Sequence, residues 1–138
     1  MGRHEVIVLD THILVWATNN DGQLGRETRA LIDRHWRNGN VCVSALTFWE
    51  AGLLQERNRL RLGSPIHEWR DSLIAAGLTE LPLNGAIALR ALDLSSLPYD
   101  PADRFIVATA LVHNAALVTA DEKLLNWRHA LERHDGTV

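Results

Sequence analysis

The chain has 138 residues, of which 46% are hydrophobic and 22% charged, and its net charge is −3. This size and balance predict one globular domain spanning residues 1–138 with one sizeable core, and the negative balance excludes a basic nucleic-acid coat. Apolar runs well short of about 18 residues exclude a membrane-spanning helix, while the single cysteine, Cys42, excludes an internal disulfide and suits a reducing cytoplasm.

The opening "MGRHEVIVLD" passes straight into a strand-like run, Glu5 to Leu9, with no signal region before it. A short helix is expected from about His12 to Ala17, followed by the loop "NNDGQLG". Arg26 to Arg37 reads as a largely exposed helix stopped by "NGN". "VCV" is a short buried strand, with Cys42 packed inside it. Ser44 is the expected cap of a helix from Ala45 to about Asn58. In "GSP", Ser64 is the expected cap and Pro65 the first helical residue of a helix reaching Ala76, with Gly77 past its end.

"LTELPL" is a third strand candidate, and Asn84 caps a helix through about Leu92. "YDPADRFIVATALVHN" is a helix with Asp100 as cap, Pro101 at its first position and Asn114 as its stop. "ALVT" is the fourth strand. Asp121 follows it, then a short helix through Trp127 and a tail without pattern. Strands that alternate with helices in this way predict a three-layer α/β/α sandwich around a central parallel sheet. Ligands of such sheets bind beyond the carboxyl ends of the strands.

Four carboxylates stand at corresponding places in this alternation. Asp10 directly follows the first strand, and Asp121 follows the last strand by one residue. Glu50 lies in the second turn of the helix after the second strand, and Asp103 in the first turn of the helix that leads to the last strand. Each also has a plainer reading. Asp10 and Asp121 suit helix caps, Asp103 resembles part of a capping box three residues after Asp100, and Glu50 suits an exposed stripe or an arginine pair. If the four converge, their repulsion calls for a counter-charge. Mg²⁺ or Mn²⁺, with its preference for oxygen ligands, supplies one and brings phosphodiester chemistry with it.

The stretches "VIVLDTHILVW", "VSALTFWE", "DPADRFIVATA" and "LVTAD" occur in the order found in PIN-domain proteins. From Glu5 to about Trp127 the chain resembles the VapC toxins of bacterial toxin–antitoxin pairs. The resemblance implies a cytoplasmic endoribonuclease dependent on Mg²⁺ or Mn²⁺, which cleaves RNA phosphodiester bonds, is neutralised by a small VapB-type antitoxin protein, and forms a homodimer. It implies that Asp10, Glu50, Asp103 and Asp121 are the catalytic, metal-holding acids. It also places Thr11, Ser44 and Thr119 where the family often carries hydroxyls near the acids, roles that capping or strand-end hydrogen bonds would fill equally well. Arg104 suits either a phosphate contact or an acid pair.

Rival classes fit less well. A haloacid-dehalogenase-type phosphatase needs a second Asp two residues after the first, where this chain has His12. A response-regulator receiver needs an Asp after the third strand, and "LTELPLNG" has none. A catalytically inactive PIN-like module that binds RNA or protein is the remaining alternative. The seven His show no pair at helical zinc spacing. The five Trp read as core or interface residues before base-stacking platforms. Lys123 is the only lysine among fourteen cations, a bias that genome base composition explains as readily as phosphate contacts do. "QERNRLRLG" reads as an RNA groove or as a solvated helix end.

Overall fold

The computed structural model describes residues 4–94, 97 and 101–138. In chain order the elements are β1 (Ile7–Leu9), α1 (Thr11–Thr18), α2 (Arg26–Arg37), β2 (Val41–Ser44), α3 (Ala45–Glu56) and α4 (Ile66–Ala76). There follow β3 (Thr79–Leu81), α5 (Gly85–Leu92), α6 (Pro101–Val112), β4 (Ala116–Thr119), α7 (Glu122–Asn126) and β5 (Arg133–Asp135). The strands form one sheet in the order β3-β2-β1-β4-β5, and every neighbouring pair is parallel. This is the expected α/β/α sandwich.

Two apolar layers follow from the period-two alternation of strand side chains. Ile7, Leu9, Val41, Val43, Ala116 and Val118 face one side, where they meet residues of α1 to α4 such as Leu14, Ile32, Phe48 and Trp69. Val8, Cys42 and Leu117 face the other side, against Ile87 of α5, Ile106 and Val107 of α6, and Leu124 of α7. Being covered on both faces explains why the central strands read as unbroken apolar runs. Burial also pushes the Cys42 thiol above its ordinary pKa, which suits a packing residue. No helix among the described residues is long and apolar enough to cross a membrane.

Most helix starts carry their expected signals. Ser44 Oγ accepts from the Leu46 N–H at 3.1 Å, and Asn84 Oδ1 accepts from the Ile87 N–H at 3.1 Å. Gly77 ends α4 at φ 124°, and Asn114 turns the chain after α6 at φ 49°. In α4 the start shifts by one residue: Pro65, not Ser64, occupies the cap position, and no side chain bonds there. The Ser64 carbonyl instead accepts from Gln55 Nε2 at 3.0 Å, tying the end of α3 to the start of α4. The expected Asp100 cap lies outside the described residues.

The tail holds a fifth strand that the sequence pattern does not reveal. Arg133, His134 and Asp135 are polar and only partly buried, so neither alternation nor an apolar run marks them. Backbone pairing with β4 and the Arg133 guanidinium hold them in place. That guanidinium donates to the carbonyls of Leu124 at 2.8 Å and His129 at 3.1 Å. The chain then crosses to α2. The Gly25 N–H donates to Gly136 O at 2.8 Å, and the Thr28 N–H to Val138 O at 3.0 Å. Gly25 heads α2 without a side-chain cap, so a carbonyl from the tail takes the place of a capping oxygen.

This closure leaves no room for a side chain at Gly25, where a Cβ would lie 1.9 Å from Val138 O. Gly25→Ala is therefore expected to push the tail off α2 and to cost about 1–3 kcal/mol, the usual range for overpacking. Urea unfolding measures the loss, and unchanged stability would contradict this packing.

Candidate active site

The strand order places a switch point at the centre of the sheet. From β1 the chain steps outward through β2 to β3, then returns to the other side of β1 as β4 and continues to β5. Connections leave β1 and β4 in opposite directions, which opens a crevice at their carboxyl ends. Asp10 stands at the end of β1 and Asp121 just past the end of β4.

Asp10 is held from three sides. Its own N–H donates to Val118 O on β4 at 2.9 Å. The Thr119 hydroxyl donates to Oδ2 at 2.7 Å, and the Thr11 N–H donates to Oδ1 at 2.9 Å. Asp10 is half-buried as a residue, and burial of its carboxyl is the dominant influence and raises its pKa. The bonds from Thr119 and Thr11 and the neighbouring His12 pull the pKa down, while Asp121 raises it again. Asp10 also heads α1, so the capping reading and the site reading hold together.

Thr119 also joins the two strand-end acids. Its Oγ1 accepts from the Asp121 N–H at 3.1 Å while donating to Asp10. Asp121 in turn caps α7, accepting from the Lys123 N–H at 2.9 Å. Glu50 arrives from the other side. The Thr11 hydroxyl donates to Glu50 Oε1, so one threonine bonds Asp10 through its backbone and Glu50 through its side chain. Asp103 is half-buried in the first turn of α6. Pro101 and Ala102 of that turn share with Glu50 a groove of about 610 Å³.

Asp10, Glu50 and Asp121 are therefore linked at the switch point through Thr11 and Thr119, while Asp103 sits in the first turn of α6. Among the described residues, no three His, Cys, Asp or Glu side chains close into a ready metal cage. Mg²⁺ does not need one, since it commonly rests on one or two carboxylates, waters and substrate phosphate oxygens. The donors here are hard oxygens, and Asp10 is a shielded carboxylate further opposed by a second acid. A divalent cation would relieve both penalties, so the residues suit Mg²⁺ or Mn²⁺.

Other residues sort differently. Ser44 is fully buried and serves as the α3 cap. The Nε of Arg104, next to Asp103, is buried with no hydrogen-bond partner among the described residues. Trp69 is buried and Trp49 is 60% exposed, so the tryptophans do not share one role. The sequence reading missed Thr47, which is fully buried with its Oγ1 3.1 Å from Thr11 Oγ1. Its place one helical turn before Glu50, inside an apolar helix, was the available signal.

The raised pKa of Asp10 sets a sign for stability against pH. A carboxyl whose pKa is higher folded than unfolded takes up its proton first in the folded state, so its ionised form opposes folding at neutral pH. Asp10→Asn, measured without divalent metal, is expected to melt above the wild type at about pH 7. The gap should close as pH falls toward about 4, where the unfolded carboxyl also protonates. Calorimetric melts across this range test it, and a gap that does not change with pH would contradict it.

Known proteins bear on this geometry. The family model described as PIN domain matches residues 7–129. The ribonuclease VapC22 of Mycobacterium tuberculosis is 32% identical over 124 residues, covering 89% of this chain and 92% of that protein. VapBC2 of Rickettsia felis, solved bound to a promoter DNA fragment, superposes with a TM-score of 0.67 at 16% identity, covering 94% of this chain and 98% of that one. DNA-bound VapBC of Salmonella typhimurium gives a TM-score of 0.66 at 17% identity, with coverage of 94% and 97%. At such identities the two structures speak for the fold, and the sequence match carries the kinship: the chain belongs to the PIN-domain family.

Proposed function

We propose that this protein is the toxin of a toxin–antitoxin pair, an endoribonuclease that cleaves RNA phosphodiester bonds with Mg²⁺ or Mn²⁺. The observation that carries the reading is the shielded Asp10 carboxylate at the switch point, tied by Thr11 to Glu50 and by Thr119 to Asp121. Kinship with a protein named a ribonuclease supports the reaction class. Solved neighbours described as toxin–antitoxin complexes support an antitoxin partner.

In this reading Asp10, Glu50, Asp103 and Asp121 hold the cation. The bound metal supplies Lewis acidity toward the phosphoryl group and charge stabilisation for the attacking and leaving oxygens. The chain's own contribution is placement. Thr119 fixes Oδ2 of Asp10 against the end of β4, and the Thr11 N–H fixes Oδ1. Both therefore stand on strand and helix ends, where position is held tightly. Unpaired or looped RNA is the accessible substrate, since its backbone can be drawn into a crevice. The antitoxin would bring a cationic side chain to the acids and apolar side chains to the groove lined by Trp49, Leu53 and Phe105. A homodimer and a cytoplasmic setting complete the reading.

Cleavage of a mixed RNA pool by purified protein with Mn²⁺ tests it, with EDTA as control. Asp10→Asn keeps the shape and one oxygen but removes the charge, and Asp103→Asn does the same at α6. Each is expected to lower cleavage at least about a hundredfold, since loss of even an outer-shell partner of a metal ligand costs about 10–100-fold. Wild-type cleavage that survives EDTA, or an Asp10→Asn variant as fast as wild type, would overturn the metal-dependent reading, and a wild type that cleaves no RNA with Mn²⁺ would put that of an inactive binding module in its place.

A further inference from the structure

A threonine inside a helix usually returns its hydroxyl to a carbonyl one turn back, as Thr109 does in donating to Phe105 O at 2.7 Å. Thr47 of α3 aims elsewhere. Its Oγ1 meets Thr11 Oγ1 at 3.1 Å, across 36 positions of sequence, and both residues are all but fully buried. The chemistry of the partners gives this contact a direction. The Thr11 hydroxyl donates to Glu50 Oε1, and a hydroxyl has a single proton to give. The bond between the two threonines must then be donated by Thr47. The result is a relay, Thr47 O–H to Thr11 Oγ1 and Thr11 O–H to Glu50 Oε1, in which each bond polarises the next.

We propose that Thr47 is a positioning residue for the metal site: its hydroxyl pins the Thr11 proton toward Glu50 and so sets the Glu50 carboxylate next to Asp10 before a cation arrives. The inference rests on the metal-nuclease reading above. Without the Thr47 donor, the Thr11 hydroxyl keeps Glu50 Oε1 as its acceptor but loses the bond that polarises and orients it, so its hold on the Glu50 carboxylate weakens. Thr11 would still bond Asp10 through its backbone N–H, so the effect falls on the Glu50 half of the site.

The test titrates Mn²⁺ into the full chain calorimetrically without RNA, with thermal melts in parallel. Thr47→Val keeps the shape and removes the donor, and it is expected to bind Mn²⁺ about tenfold more weakly, the low end for residues that orient metal ligands. Thr47→Ser keeps the hydroxyl and loses a methyl. It is expected to bind within about twofold of wild type while melting lower, because it leaves a small void. Where Thr47→Val does not fold, Thr47→Ala compared with Thr47→Ser carries the same test. A packing role alone would lower both melting temperatures and leave the Mn²⁺ affinities together. Wild-type affinity in Thr47→Val, or affinity in Thr47→Ser as weak as in Thr47→Val, would overturn the inference. Binding that is lost in Asp10→Asn but unchanged in Thr47→Val would overturn this inference alone, and a wild type that binds no Mn²⁺ would overturn the metal reading with it.

Discussion

A carboxylate at the carboxyl end of the central strand, largely shielded from water, has to be held by donors or it takes up a proton. Asp10 is held by the Thr119 hydroxyl on one oxygen and the Thr11 N–H on the other. Those two bonds come from different parts of the chain, the end of β4 and the start of α1, which only the parallel pairing of β1 with β4 brings together. The register of the sheet and the ionisation of Asp10 therefore depend on each other. A slip of one residue between β1 and β4 would turn the side chains of the pair to opposite faces and part Thr119 from Asp10.

The same arrangement explains why the site lies where it does. Thr119 reaches back to Asp10 and forward to the Asp121 backbone, while Thr11 reaches from Asp10 to Glu50. Two threonines, through hydroxyls and one backbone N–H, thus organise three acids that would otherwise repel one another. Burial continues to disfavour the charge on Asp10, so part of the fold's stability is withheld at this point. Such a local penalty is what the proposed cation site would offset.

How much of this was readable in the sequence depends on the kind of signal. The central strands were plain, because burial on both faces leaves unbroken apolar runs such as "VCV" and "ALVT". Caps at Ser44 and Asn84 were plain because one side chain bonds a nearby backbone N–H. β5 was not readable, since Arg133 to Asp135 owe their conformation to β4 and to an arginine bonding distant carbonyls. The α4 start moved from Ser64 to Pro65 because the Ser64 carbonyl is taken by Gln55, a tertiary contact that local propensity does not register. The acids themselves could be placed at strand ends and helix starts. Their linkage through Thr11 and the buried Thr47 could not, because it joins α1 to a helix 36 positions on.

The central claim is that the acids at the switch point are a cation site. Anomalous diffraction from crystals soaked in Mn²⁺ tests it most directly. The account expects a strong anomalous peak about 2.1 Å from an Asp10 carboxylate oxygen, the usual distance for such small hard cations, on the side facing Glu50. Anomalous peaks confined to other parts of the molecule, with none at Asp10, would contradict it.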